Sequence, residues 1–310
     1  MSRKKLFAGT IIILAVLVVI GSVYSDTSRK QGSSPEADVG VIYIDGMIVG
    51  GWGNDFFGGV SGSEELMRQI REAAGDPEIR AVVLRINSPG GSVAATQEVA
   101  RELEKLKESG KIIVSSMGDV AASGGYWLAA KTDKIYANDG TITGSIGVRI
   151  DHQNLEELYD KLGIKFEIIK SGPQKDLGST NRDLTIEERQ ILQGMVDDMY
   201  EEFIRVVAEG RNMPQSRVRE LATGRIWTGG QAREIGLVDE LGNFYDAVNG
   251  AAKMVGVSGE PELKYYGEQG WLYNLLGGSL SRFNSDVLLQ DYVASKLFGP
   301  KMLAVPDIQP

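Results

Sequence analysis

Apolar runs alternate with helical stripes along this chain from about Val39 to Met254. Val41-Ile42-Tyr43-Ile44 reads as a strand, and Ala81-Val82-Val83-Leu84-Arg85-Ile86 as a second. The second run is almost continuously apolar, as expected when both faces of a sheet are covered. Lys111 to Ser115, Lys134-Ile135-Tyr136-Ala137 and Lys165 to Ile169 predict further strands. Between them lie helical patterns. Leu66, Ile70 and Ala73 recur at helical spacing behind Ser61 and Glu64, a pair that predicts a capping box. Helices are also predicted from about Val93 to Lys107 and from Leu155 to Leu162. Thr185 with Glu188 opens a long helix through Ile191, Met195, Met199, Phe203 and Val207, again by a capping box. Two more helices are predicted, from about Pro214 to Ala222 and from Phe244 to Met254. The alternation predicts an α/β layered domain over residues 39–255, and glycine-rich turns come after its strands, where sites cluster in such folds.

The pattern changes at both ends. Arg3, Lys4 and Lys5 precede an uncharged apolar stretch from Phe7 to Tyr24. As a helix it would be about 27 Å long, just enough for a bilayer core of about 30 Å. The basic cluster places the N-terminus in the cytoplasm and the remainder outside it, so residues 1–25 are expected to be a single-pass anchor in the cell membrane. A cleaved signal peptide is the competing reading, although no A-x-A-like site is present. Residues 26–38 are polar and aperiodic and read as a flexible linker. Beyond Val255 the periodicity weakens, and residues 256–310 read as a C-terminal extension. Its apolar islands, Trp271-Leu272-Tyr273-Asn274-Leu275-Leu276 and Val287-Leu288-Leu289, are expected to pack against a partner subunit first of all. The membrane surface and the main core are the other candidates.

Composition narrows the chemistry. The formal charge is −9, which argues against a general nucleic-acid binder. There is no cysteine, so thiolate nucleophiles, thiolate metal sites and disulfides are excluded. The single histidine excludes multi-histidine metal centres, and a Ser-His-Asp triad would have to use His152. That residue sits in the polar stretch Asp151-His152-Gln153-Asn154, which reads as solvated loop.

Ser123 is the candidate nucleophile. It stands between a strand and the helix start Tyr126-Trp127-Leu128, with two glycines directly after it. A helix N-terminus offers free N–H groups there. The alternative is a serine that merely caps the helix. A serine alcohol needs a base, and a lysine can serve if it is held neutral. Free lysine has a pKa of about 10.4, and burial away from carboxylates lowers it. Lys175 lies in a polar loop from Ser171 to Asp183, beside Asp176, so a surface ion pair is the competing reading.

Val120-Ala121-Ala122-Ser123-Gly124-Gly125-Tyr126, Thr143-Gly144-Ser145-Ile146-Gly147 and Lys170-Ser171-Gly172-Pro173-Gln174-Lys175-Asp176 occur in that order, with Ser88-Pro89-Gly90-Gly91 ahead of them. This ordered set resembles the signal peptide peptidase A family, whose members are membrane-anchored Ser/Lys-dyad peptidases. The resemblance covers about Val39 to Val255 and fits the family's short form. It implies a fold related to the caseinolytic protease and crotonase folds. It further implies that Ser123 is the nucleophile, Lys175 the general base, Ser145 the serine that orients the lysine amine, and Gly90 the oxyanion-hole donor. Gln174 departs from the pattern, in which an aromatic residue often precedes the lysine. The implied substrates are hydrophobic peptides, remnant signal peptides above all. The implied assembly is a homo-oligomer whose neighbouring subunits shape the cleft, with no cofactor and no metal. Two alternatives accompany this reading: trimming of a stomatin-like membrane protein by the same chemistry, and a crotonase-type acyl-CoA enzyme. An inactive peptide-binding scaffold is disfavoured by the presence of both dyad residues.

Overall fold

The computed structural model describes residues 38–53 and 59–267. The predicted anchor, the linker through residue 37 and the tail from residue 268 lie outside the described residues. Among the described residues no helix is long and apolar enough to cross a membrane.

An eight-stranded sheet forms the centre. Its main path runs β10 (Leu263–Tyr266), β1 (Val39–Asp45), β4 (Ala81–Ser88), β5 (Ile112–Ala122), β6 (Lys134–Ala137) and β9 (Glu240–Leu241), all paired in parallel. β7 (Ile142–Gly144) joins β5 in parallel, and β8 (Ile226–Thr228) joins β7 antiparallel. A separate parallel pair, β2 (Met47–Val49) and β3 (Val60–Gly62), lies between β1 and the first helix in sequence.

Helices cover both faces of the central strands, which is why those strands are apolar throughout. On one face α8 (Phe244–Met254) packs Ala247, Val248, Ala251 and Ala252 against Val39, Ala81, Val83, Val114 and Tyr136. The alternate residues Ile42, Ile44, Val82, Leu84 and Ile86 point the other way and are fully buried. That side carries α1 (Ser63–Gly75) and α2 (Val93–Glu108). Each such aliphatic side chain contributes about 1.5–3 kcal/mol on burial. α2 in turn packs on α3 (Gly124–Ala130), whose residues are all buried. α3 also meets α5 (Ile186–Gly210), with Trp127 against Phe203 at 4.8 Å between ring centroids. The shorter helices are α4 (Glu156–Lys161), α6 (Gln215–Leu221) and α7 (Gly229–Glu234).

Two local expectations need correction. Ser61 does not cap α1: Gly62 occupies the N-cap without a side-chain bond. The Ser61 hydroxyl instead donates to the Asp45 carbonyl at 2.8 Å and accepts from the Asp45 N–H at 2.9 Å, tying β3 to the end of β1. Lys165 to Ile169 forms no strand, because no sheet edge of the described chain lies alongside it, and its side chains are exposed. Past Val255 the chain adds one more strand to the sheet. β10 pairs with β1 and is clasped by Asp76, which accepts from the Tyr266 hydroxyl at 2.7 Å and also binds the Lys264 ammonium. The capping box of Thr185 and Glu188 at α5 is present as expected.

Candidate active site

β5 builds the site by serving two neighbours in succession. Its first half pairs with β6 at Val114–Ser116, and its second half pairs with β7 at Val120–Ala122. Between the halves the register against β4 shifts, so that Ile86 faces Met117 but Ser88 faces Ala121. Such a bulge bends and twists a strand and re-aims the residues beyond it. Asn87 supports the bend by accepting the Val120 N–H on its side-chain oxygen at 3.1 Å.

Two serines result, side by side. Ala122 pairs with Gly144, and the Ser123 N–H donates to the Gly144 carbonyl at 2.9 Å. Neighbouring strands stand about 4.8 Å apart, so the next residues, Ser123 and Ser145, face the same space. Both adopt positive φ, 52° and 50°. Asn212 is the other non-glycine residue among those described that does so. A side chain held there costs about 1–3 kcal/mol, and such strain clusters at functional sites. The Ser123 hydroxyl makes no capping bond to α3, so the plain N-cap reading does not hold.

The Pro89-Gly90-Gly91 turn approaches from β4. Gly90 has φ +99°, and a Cβ there would lie 2.6 Å from the Gly124 nitrogen and 2.7 Å from the Ser123 Cβ. Only glycine lets this backbone touch the serine. The Gly90 N–H donates to the buried Ser88 hydroxyl at 3.1 Å. Gly91 lies beside it on the cleft wall, bridged to Ile48 on its other side.

Ser123, Ser145, Gly90 and Gly91 line one cleft of about 840 Å³. Its walls include the apolar side chains of Met47, Val93, Val148 and Val196 and the ring of Tyr200. Arg149 and Asp197 are its charged lining residues. The Tyr200 hydroxyl donates to the Ala222 carbonyl at 2.8 Å, which fixes the ring against the loop carrying Thr223 and Gly224. Sequence reasoning missed this wall of α5. Its only signal was a run of apolar residues continuing N-terminal to the buried Phe203, because Ile191 and Met195 are exposed.

Lys175 does not line the cleft. It is exposed, in a series of turns between α4 and α5. The neighbouring Asp176 is not its partner. Asp176 accepts from the Lys170 ammonium at 2.7 Å and pairs with the Arg182 guanidinium at 3.1 Å. Arg182 reaches on to Glu188 with two bonds of 2.8 and 2.6 Å. The Glu188 side chain is only 2% exposed and also accepts the Thr185 N–H at 2.9 Å. Lys170 and then Arg182 hold the Asp176 carboxyl down to about 2, and Arg182 holds the Glu188 carboxyl down to about 2. The same carboxylates push the Arg182 guanidinium up.

His152 also stands apart. It is half-buried and lines a separate cavity with Ile150, Asp151, Gly178 and Thr180. Its Nε2 has no partner among the described residues. No group of three or more acidic or histidine side chains among them could hold a metal ion.

Comparison with known proteins places this arrangement. Residues 105–258 match the description peptidase family S49. A protein of Synechocystis sp. named as a protease is 45% identical over 197 residues, covering 64% of this chain and 71% of the relative. Protease 4 of Salmonella typhi is 34% identical over 258 residues, covering 83% of this chain but 41% of that longer protein. A protein of Enterococcus faecium named as a signal peptide peptidase is 37% identical over 221 residues, covering 71% of this chain and 64% of the relative. With a half-buried serine lining a cleft at the end of a parallel strand, and with these relatives, the chain belongs to peptidase family S49, the signal peptide peptidase A family of serine peptidases.

Proposed function

We propose that this protein hydrolyses hydrophobic peptides, remnant signal peptides first among them, by a Ser123/Lys175 dyad shared between copies of the chain. The observation that carries the reading is the separation of the parts. Ser123 and Ser145 meet in one cleft, while Lys175 stands outside it on an exposed loop anchored by Arg182. The segment leading to that loop exposes Leu158, Leu162, Ile164, Phe166 and Ile169, the last at 94%. Large apolar side chains left exposed this close together in the chain suit an interaction site. Docked on a neighbouring copy, it brings Lys175 to that copy's cleft and buries it there.

In that assembly the Lys175 amine, held by the Ser145 hydroxyl, takes the proton from the Ser123 hydroxyl. The serine oxygen attacks the scissile carbonyl carbon, and the Gly91 amide meets the developing oxyanion, because the Gly90 N–H expected in that role is already given to the Ser88 hydroxyl. One well-placed donor of this kind is worth about 2.7–4 kcal/mol in a dry site. The protonated lysine then gives its proton to the leaving amine, and water hydrolyses the acyl ester by the same base. Met47, Val93, Val148 and Val196 give the cleft an apolar lining suited to a hydrophobic peptide. The expected relation to the caseinolytic protease and crotonase folds fits the layered parallel sheet. The anchor at residues 7–24 rests on the sequence, and it would keep the cleft outside the cytoplasm and close to peptides left in the membrane.

Mixing two inactive variants tests the shared dyad. Ser123→Ala and Lys175→Ala should each fail to cleave a fluorogenic hydrophobic peptide. Co-expressed, they should form mixed assemblies in which an intact Ser123 meets an intact Lys175, and activity should return. Co-assembled variants that stay inactive would refute the sharing between copies. Hydrolysis by Ser123→Ala alone would refute the nucleophile.

A further inference from the structure

The loop that carries Lys175 presents an electrostatic problem that the ion network resolves. A lysine base must lose its proton, and a carboxylate within about 4–6 Å of an ammonium keeps the proton on. Asp176 is the next residue after Lys175 in the chain. Left alone, it would be the natural ion-pair partner of that lysine. Instead one Asp176 oxygen receives Lys170 and Arg182, at 2.7 and 3.1 Å, and the other lies 3.4 Å from the Arg182 Nε. The Asp176 side chain is 10% exposed, so little of it remains to bind another cation. Among the described residues Lys175 pairs with no carboxylate. Glu188, buried at the first turn of α5, holds Arg182 in place with two bonds.

We infer that Arg182 is a positioning residue that sequesters Asp176 from Lys175 and so keeps the amine able to act as a base. This rests on the reading of Lys175 as the general base. Arg182 touches neither substrate nor the reacting atoms and acts through Asp176. The charged groups around the lysine are Lys170, Asp176, Arg182 and Glu188 on its own side. Arg149 and Asp197 line the cleft it would enter on a neighbouring copy. Lys170 and Arg182 together offset Asp176 and Glu188, so the network as a whole adds no net negative charge beside Lys175. Arg182 also joins the loop to α5, which supplies Val196, Asp197 and Tyr200 to the cleft wall. One side chain therefore sets both the charge and the place of the lysine.

The test is the pH profile of kcat/KM for a fluorogenic hydrophobic peptide, measured on the full chain. Arg182→Gln releases Asp176 toward Lys175. Its rising limb should move to higher pH by about one unit or more, which is about tenfold in rate on the limb, and its activity should recover toward wild type as pH rises. Arg182→Lys, which keeps a cation, should shift less. Adding Asp176→Asn to Arg182→Gln removes the offending carboxylate and should bring the limb back. A purely structural Arg182 would lower the rate at every pH without moving the limb, and Asp176→Asn would not restore it. That result would overturn the inference. Lys175→Ala and Lys175→Arg separate the two claims. If both variants are inactive while Arg182→Gln leaves the limb in place, the sequestering role fails and the dyad stands. If either keeps wild-type activity, the dyad and the inference fall together.

Discussion

Gly90→Ala should be among the most damaging single-methyl changes in this protein, and its cost can be worked from the geometry. The backbone at Gly90 has φ +99°, a region that residues with a side chain rarely adopt. Holding alanine there costs about 1–3 kcal/mol. The added Cβ would also sit 2.6 Å from the Gly124 nitrogen, 2.7 Å from the Ser123 Cβ and 3.0 Å from the Ala122 carbonyl oxygen. Two of these are backbone atoms that cannot rotate away. Overpacking of this kind adds about 1–3 kcal/mol. The two terms sum to several kcal/mol, a large share of the roughly 5–15 kcal/mol that keeps a domain folded. The chain can relieve part of it only by moving the turn or Ser123. A displacement of about 1 Å at Ser123, the proposed nucleophile, costs about a hundredfold in rate. Urea unfolding should therefore show a lower midpoint with an unchanged slope, and kcat/KM should fall by about a hundredfold or more. Gly140→Ala is the control, since its Cβ meets nothing within 4 Å and its φ is not positive. It should change stability by no more than about 0.5 kcal/mol. A Gly90→Ala protein with wild-type midpoint and wild-type kcat/KM would refute the claim that the turn presses on Ser123.

Ser145→Ala should be milder than loss of Ser123 or Lys175. In the proposed dyad the base survives but loses its orienting hydroxyl, so kcat should fall while KM changes little; equal inactivity of Ser145→Ala and Lys175→Ala in steady-state assays would contradict this division of roles. Glu102→Gln probes the packing of α1 on α2. Its side chain is 5% exposed and takes two bonds of 2.9 Å from Arg71 and one of 2.7 Å from Lys105, which with Arg71 foremost hold the carboxyl down to about 2. A folded-state value below the ordinary 4.5 means the stabilisation is present above about pH 4.5 and fades as pH falls toward about 2. The variant should lose about 1–2 kcal/mol at pH 7, moderated because Arg71 and Lys105 are exposed. In thermal melts the gap to wild type should close on acidification, and a gap constant from pH 7 to pH 3 would contradict the ionic origin.

Much of the layered core was legible along the chain because its signals are local. Buried parallel strands are apolar whatever their neighbours, so Ala81 to Ile86 and Lys134 to Ala137 could be read from composition alone. Thr185 with Glu188 satisfies helix donors within four residues, and that pair was readable for the same reason. The Ser61 and Glu64 pair looked alike in sequence but failed, because the end of β1 offered Ser61 a backbone partner from across the fold. β10 was missed because a four-residue strand carries little pattern, and its place is decided by β1 and Asp76.

The residue types of the proposed site were also determined by sequence: a serine before two glycines, a second glycine-flanked serine, and a lysine in a polar loop. Their relations were not. Ser123 stands beside Ser145 only because β5 changes partner midway, and the bulge against β4 that allows this depends on three strands at once. Whether Lys175 pairs with Asp176 turned on two cations, Lys170 and Arg182, each six positions from Asp176 and brought onto it by the folding of the loop against α5. Chain order specifies which groups are available. Which of them share a cleft, and which carboxylate is already occupied, depends on distances in space that only the tertiary structure determines.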